Sequence, residues 1–217
     1  GSNNIAGPAP VVLAGNSYLG TLTGADSLSF LTPISQRGGV RSIDIVGPGT
    51  IQYRANANNA YTGTTTVQSG TLNLNQTAGT TAILGPLVIG DGVGAASTAT
   101  VLSSVNEQID NATSVSVLAD GRFNLNGFTE TIGALSITDG SVVTGPNGVL
   151  SITGLTMIGG SITLGIAGFP GQLVMNGNAT VTPSGATASR INGPGSINVN
   201  GADRTFTVND GTPADDL

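Results

Sequence analysis

The chain contains no cysteine, histidine, tryptophan or lysine among its 217 residues, and its six basic residues are all arginine. These absences exclude Ser-His-Asp and Cys-His nucleophilic sites, Schiff-base lysines, and zinc sites built from imidazole or thiolate. They also exclude disulfides, which suits a protein that crosses an oxidising, extracytoplasmic space. Charged residues make up only 8% of the chain, whereas they are about a quarter of an average globular protein. We therefore predict a non-enzymatic protein without cofactors.

The charge balance and the hydrophobic runs exclude two classes of partner. The net charge is −6 and the arginines are scattered, so no basic surface is available for nucleic acid. No apolar run approaches the roughly 18 to 20 residues that span a bilayer, so we expect no membrane insertion by this segment. We interpret Gly1 and Ser2 as residues left by cloning.

A short unit recurs along the chain, in which an alternating apolar stretch, a turn ending in glycine and a second alternating stretch follow one another. The copies are SIDIVGPGTIQY (42–53), TTTVQSGTLNL (64–74), SVSVLADGRFNLNG (114–127), ALSITDGSVVT (134–144), LTMIGGSITLG (155–165), LVMNGNATV (173–181) and RINGPGSINV (190–199). The turn glycines are Gly49, Gly70, Gly121, Gly140, Gly160, Gly177, Gly195 and Gly211. A repeated unit of this kind indicates a stacked architecture.

Aligned on these glycines, the repeats show columns of apolar residues separated by polar positions. Three residues before the glycine stand Val46, Val67, Leu118, Ile137, Met157, Val174, Asn192 and Val208. Two residues after it stand Ile51, Leu72, Phe123, Val142, Ile162, Ala179, Ile197 and Pro213. Four residues after it stand Tyr53, Leu74, Leu125, Thr144, Leu164, Val181, Val199 and Asp215. This period of two predicts strands with one buried face and one solvated face.

The spacing of the glycines distinguishes between two all-β architectures. They recur about every 20 residues, apart from a gap of 51 residues between Gly70 and Gly121. A unit of that length predicts a right-handed parallel β-helix, a solenoid with coils of about 20 residues. The long gap predicts one further copy near residues 89–92 together with an insertion. An array of isolated β-hairpins is the structural alternative.

Two stretches fit the repeat less well. Residues 1–41 lack the column register and are predicted to form an irregular N-terminal coil or a cap, whereas residues 42–217 form the repeats, truncated at the C-terminal end. In residues 101–110, apolar side chains recur at four-residue spacing, and Ser104 followed by Glu107 matches a capping box. This stretch predicts either one helical turn or a loop that extends a coil.

One segment carries a resemblance to a known family. NAYTGTTTVQSGTLNLN (59–75) resembles the autotransporter-associated β-strand repeat, also called the passenger-associated transport repeat, through Tyr61-Thr62-Gly63 and Gly70-Thr71-Leu72. With its flanking segments the resemblance extends over residues 47 to about 165. It implies a β-helical passenger or stalk of a secreted bacterial surface protein.

The acidic residues offer three pairs that deserve a chemical test. Asp120 and Asp139 each precede a turn glycine in consecutive coils, so their Cα atoms should stack about 5 Å apart. That separation suits a retaining glycosidase dyad or a calcium site, although aspartate before glycine is also an ordinary turn signal. Glu107 and Asp110 would share a face only in a helical turn, and the pair 215–216 is predicted to be a solvated terminus. We therefore predict no catalytic residues and keep Asp120 and Asp139 as calcium candidates.

Together these observations predict a structural or adhesive stalk segment of a large bacterial extracellular or cell-surface protein. The alternatives are a carbohydrate-active β-helix enzyme domain and a specific glycan-binding module. The expected partners are neighbouring repeats of the same polypeptide and cell-surface glycans or proteins. Because the repeat ending at Gly211 is unfinished, weak end-to-end self-association of the fragment is also expected.

Overall fold

The structure, a computed structural model, describes residues 1–185 and 188–209, and within those ranges it contains strands but no helix. No helix in the described part could therefore cross a membrane. The strands are β1 (Ser2–Ile5), β2 (Val11–Leu13), β3 (Ser17–Gly20), β4 (Ser27–Phe30), β5 (Ile34–Gln36), β6 (Ile43–Val46), β7 (Thr50–Tyr53), β8 (Thr65–Val67), β9 (Gly70–Leu74), β10 (Leu87–Ile89), β11 (Ala99–Ser103), β12 (Val115–Val117), β13 (Gly121–Asn124), β14 (Thr129–Thr138), β15 (Ser141–Val143), β16 (Val149–Ile158), β17 (Ser161–Thr163), β18 (Gln172–Met175), β19 (Ala179–Thr182), β20 (Arg190–Asn192), β21 (Ser196–Asn198) and β22 (Phe206–Val208).

Three faces, each extended along the stacking direction, make up the molecule. The first face is a nine-stranded sheet in the order β1, β4, β7, β9, β11, β13, β15, β17 and β20. The second face begins with the pair β2 and β5, and the third contains β3, β6, β8, β10 and β12. Strands β14 and β16 run around the corner between the second and third faces, so β18 and β21 continue the second face and β19 and β22 continue the third.

The chain is therefore an all-β parallel solenoid of about nine coils, which confirms the predicted fold class. The hairpin alternative is wrong, because the ladders between the strands are parallel. Each coil averages roughly 23 residues rather than 20, because loops 90–98 and 183–189 lengthen two of them. The first of these loops is the insertion expected in the long glycine gap. Right-handed winding, the strong preference of parallel crossovers, stays a prediction.

Columns of apolar side chains fill the interior from coil to coil. One column on the first face consists of Leu28, Ile51, Leu72, Val101, Phe123, Val142, Ile162 and Ile191. A second, on the third face, consists of Leu19, Ile45, Val67, Ile89, Val117, Ile137, Met157, Val181 and Val208. Fully burying one such aliphatic side chain contributes about 1.5–3 kcal/mol, so these columns hold the coils together.

The structure corrects the predicted columns at two kinds of position. Ile45 and Val117, not Val46 and Leu118, occupy the third-face column, because those two turns contain one residue more than the others. Gly177 lies between β18 and β19 and Gly195 between β20 and β21, so neither is at the corner of Gly49, Gly70, Gly121, Gly140 and Gly160. The residues aligned on these two glycines consequently belong to other columns: Val174, Asn192, Ala179 and Ile197.

The predicted helical turn in residues 101–110 is wrong, because the stretch consists of the end of β11 and a bend that leads to a bridge at Ile109. Val101 lies in β11, where it pairs with Leu72 and Phe123. The Ser104 hydroxyl donates to Asn73 Oδ1 (2.7 Å), and the Glu107 carboxylate accepts from Thr131 of the following coil instead of capping a helix. Contacts between coils therefore override the local capping signal.

Residues 2–46 supply the strands of the first two coils. β1 pairs with β4, and β4 pairs in turn with β7, so the first-face ladder is continuous from Ser2 onward. Burial is incomplete here, because the first coil has a neighbour on one side among the described residues: the inward-facing Ile5, Val11 and Leu19 are only partly buried.

Candidate functional site

A groove lies at the corner where the third face turns into the first face. At this corner β12 connects to β13 through three residues, and β14 to β15 and β16 to β17 through two each, whereas longer connections join β10 to β11 before them and β19 to β20 after them. The short turns form the floor, and parts of the two longer loops stand at its two ends. The groove has a volume of about 750 Å³, and it is lined by Ala96, Ala119, Asp139, Gly140, Ser141, Gly160, Ser161, Ser184, Ala188 and Arg190.

Asp139 presents its carboxylate at the floor of this groove. Its backbone is in the left-handed region (φ +56°), which aspartate tolerates better than most residues because its short polar side chain bonds locally. Oδ2 accepts a hydrogen bond from the Ser184 hydroxyl (2.8 Å), and Oδ1 has no donor among the described residues. A Cβ at Gly159 would lie 2.1 Å from Oδ1, so only glycine leaves room for the carboxylate there.

Arg190 lies across the floor from Asp139. Ser141, Ser161 and Arg190 pair in register on neighbouring strands, so their side chains form one row on the outer side of the first face. The Arg190 side chain is exposed and makes no hydrogen bond to the described residues. It forms no ion pair with Asp139 either, since the one ion pair in the described ranges joins the Gly1 ammonium to Asp26. The groove thus holds a carboxylate, a guanidinium and the hydroxyls of two serines.

Asp120 occupies the same corner one coil earlier, but its carboxylate points away from Asp139. It is fully buried and accepts hydrogen bonds from Gly92 N (2.7 Å) and Asp91 N (3.4 Å), both in the preceding turn. Asp139 instead contacts Ser184 in a later turn. The two aspartates therefore engage coils on opposite sides and do not form the glycosidase-like dyad that their sequence positions suggested.

The remaining acidic pairs are also separated. Glu107, with a positive φ of 52°, bonds Thr131 N and Oγ1 in the next coil. Asp110 accepts from Ala112 N in its own turn. The pair 215–216, like Gly211, lies outside the described residues. Among the residues that are described, no three acidic side chains come together as a group that could hold a metal ion.

A row of buried polar side chains replaces strand hydrogen bonds on the second face, where the middle coils lack regular strands. Asn59 Oδ1 accepts from Ile34 N (2.8 Å), and its Nδ2 donates to Ala82 O (2.8 Å). Gln108 Oε1 accepts from Gln76 N (2.9 Å). The Glu130 oxygens accept from Gln108 N (3.1 Å) and Ile109 N (3.0 Å). Each side chain bonds the preceding coil, so this row joins coils together rather than facing a ligand.

Glu130 is the member of this row with unusual acid–base behaviour. It is fully buried, and burial raises the pKa of its carboxyl from 4.5 to about 8, with a smaller contribution from the nearby Glu107 charge. The two backbone N–H donors act in the opposite direction, because they stabilise the ionised form. The carboxyl lies inside the solenoid, so its role is structural.

Two tyrosines lie side by side in the interior. Tyr61, from the repeat motif, is fully buried, and its hydroxyl is 2.7 Å from Thr65 Oγ1 and 3.4 Å from the Tyr53 hydroxyl. Tyr53 in turn packs edge-to-face against Phe30, with ring centroids 5.9 Å apart. Burial raises the pKa of Tyr61 to about 12. These rings are therefore core residues and provide no surface for stacking sugars.

The groove is the part of the molecule that sequence reasoning missed. It depends on two long loops that fall at the same corner, with short turns between them. The long glycine gap indicated the first loop, but misassigned turns after Gly160 concealed the second. No signal in the sequence placed Ser184 or Arg190 beside Asp139.

No family model, no curated protein and no solved structure matches this chain. The resemblance to the autotransporter-associated β-strand repeat therefore stays a prediction from the sequence of residues 59–75 and their flanking segments.

Proposed function

We propose that this chain is a non-enzymatic stalk or spacer segment of a large bacterial extracellular or surface protein. The observation that supports this role is the stacking of about nine coils, with a row of mostly hydroxyl side chains on the third face that begins after Tyr18 and Asp44 of the first two coils. This row, which we call the hydroxyl row, contains one hydrophobic residue and six hydroxyl residues in register: Thr66, Val88, Ser116, Ser136, Thr156, Thr180 and Thr207.

The role is mechanical. Strand ladders and buried polar side chains join each coil to the next, so one coil transmits load to its neighbour. Coils spaced about 4.8 Å apart would place the surfaces at the two ends of the solenoid tens of ångströms from each other. The hydroxyl row offers weak, repeated hydrogen bonds to a surface. They give measurable binding only when many copies of the chain bind the same surface at once.

A multivalent binding experiment tests this proposal. The chain is attached to beads at high density, and the beads are mixed with insoluble cellulose, chitin or starch granules. We expect dense beads to bind at least one of these and sparse beads to bind none. Thr156→Lys in the hydroxyl row should reduce binding, whereas Thr71→Lys on the first face should not.

Two outcomes would contradict the stalk role. Release of reducing sugars from any of the polysaccharides, at a rate that scales with protein concentration, would mean that the chain is an enzyme. Equal binding of dense and sparse beads would mean that a single strong site, and not the repeated surface, makes the contact.

A further inference from the structure

We infer that the corner groove is a binding site for a neutral oligosaccharide. This inference does not rest on the stalk proposal, because it concerns one groove rather than the repeated hydroxyl row. It starts from two groups in the groove that have unused hydrogen-bonding capacity toward the described residues, Asp139 Oδ1 and the Arg190 guanidinium. One is an acceptor and the other a donor, and the hydroxyls of Ser141 and Ser161 between them can act as either.

This mixture of donors and acceptors selects the chemical class of the ligand. A polyanion would place charge beside the Asp139 carboxylate, and a polycation would place charge beside Arg190. A neutral polyol satisfies both, because each of its hydroxyls can donate to the carboxylate oxygen and accept from the guanidinium.

The shape of the groove favours a chain over a single sugar. Its floor crosses the turns of three successive coils, so the row from Ser141 to Arg190 covers about 10 Å of strand spacing. The methyl groups of Ala96, Ala119 and Ala188 add apolar surface, against which the C–H faces of sugar rings can pack. No aromatic ring is among the lining residues, so we expect affinity in the millimolar range.

Titrations followed by nuclear magnetic resonance test the assignment. The ¹⁵N-labelled chain is titrated with cellotetraose, maltotetraose, mannotetraose and tetra-N-acetylchitotetraose, with tetragalacturonate as the charged comparison. We expect at least one neutral tetrasaccharide to shift the amide signals of residues 138–141 and 158–161. Asp139→Asn and Arg190→Gln should each weaken that binding by roughly tenfold or more.

Matched variants outside the groove serve as controls. Asp44→Asn removes a carboxylate from the third face, and Arg37→Gln removes a guanidinium from an exposed loop. Both variants should leave binding unchanged. Ser161→Phe fills the floor without changing a charge, and it should abolish binding while the amide spectrum shows a folded protein. Shifts with tetragalacturonate alone, shifts that persist in both charge variants, or no shifts with any neutral tetrasaccharide would each overturn the assignment.

Discussion

Strands β13 and β15 in the middle of the solenoid bury every second side chain, whereas β21 and β22 in the last coil bury none. Both regions carry the same alternation of apolar and polar residues in the sequence. The difference arises because a middle coil is covered on two sides and an end coil is covered on one. Burial in this protein therefore depends on position in the stack as much as on the local pattern.

The largest effect should come from placing a charge in a middle column. Leu125 is fully buried, so Leu125→Asp should destabilise the protein by at least about 4 kcal/mol, because the carboxylate would have no partner. Asn124→Asp keeps the oxygen that accepts from Asn126 N and should cost little. Val208→Asp in the last coil, where the side chain is 76% exposed, should also be mild. Thermal melts of the three variants check this order, and equal melting temperatures would refute the column assignment.

A smaller difference in stability should separate the alanine variants of two glycines, one in a middle coil and one in the first coil. A Cβ at Gly121 would lie 2.1 Å from the Ile89 carbonyl oxygen of the neighbouring coil, so Gly121→Ala should destabilise by about 3 kcal/mol. Gly15 in the first coil has nothing within 4 Å of the same position and no positive φ, so Gly15→Ala should be neutral or stabilise by about 0.5 kcal/mol. Urea unfolding of both variants provides the test. Comparable losses at the two sites would mean that the coils are not packed as closely as described.

Glu130 predicts a pH dependence that originates in a middle coil. The folded state holds its proton up to about pH 8, whereas the unfolded chain releases it near 4.5. The unfolded state thus binds fewer protons between these values, and stability should fall as pH rises, by no more than about 1.4 kcal/mol per pH unit. Glu130→Gln should remove most of this slope, and Asp44→Asn should not. A wild-type stability that rises from pH 5 to pH 8 would show that the carboxyl is ionised in the folded protein.

The smallest effect concerns the exposed end coil. Phe206 and Ile197 are each 43% exposed, and among the described residues β20, β21 and β22 pair with a neighbour on one side only. We expect weak end-to-end association that grows with concentration and is reduced by Phe206→Ser. Sedimentation velocity over a wide concentration range measures this, and a constant monomer at every concentration would contradict it.

Particular residues show how far the sequence alone could lead. The first-face column was predicted correctly at Ile51, Leu72, Phe123, Val142 and Ile162, because a glycine at a constant distance marks each strand. In the column four residues after the glycine, Thr144 was correctly placed next to Leu125. On the other side the buried Ser103, and not Leu74, is adjacent to Leu125, because the coil of Ser103 has no turn glycine in the predicted alignment.

The candidate site was less predictable than the fold. Asp139 was identified from its position before a glycine, but its contacts depend on Ser184, which is 45 residues away in sequence. Turns of different length change which residues meet at a corner, and a single sequence does not mark all of those lengths. Column patterns repeat and can be recognised, whereas a groove arises where the repeat is broken.

Amide hydrogen exchange, measured strand by strand, tests the difference between middle and end coils most directly. Middle coils should open only when the neighbours on both sides are disrupted, so the amides of β13, β15 and β17 should exchange slowest. Protection should decline toward β1 at one end and toward β20, β21 and β22 at the other. Uniform protection along the chain, or the strongest protection in an end coil, would contradict the view that stacking on both sides holds this solenoid together.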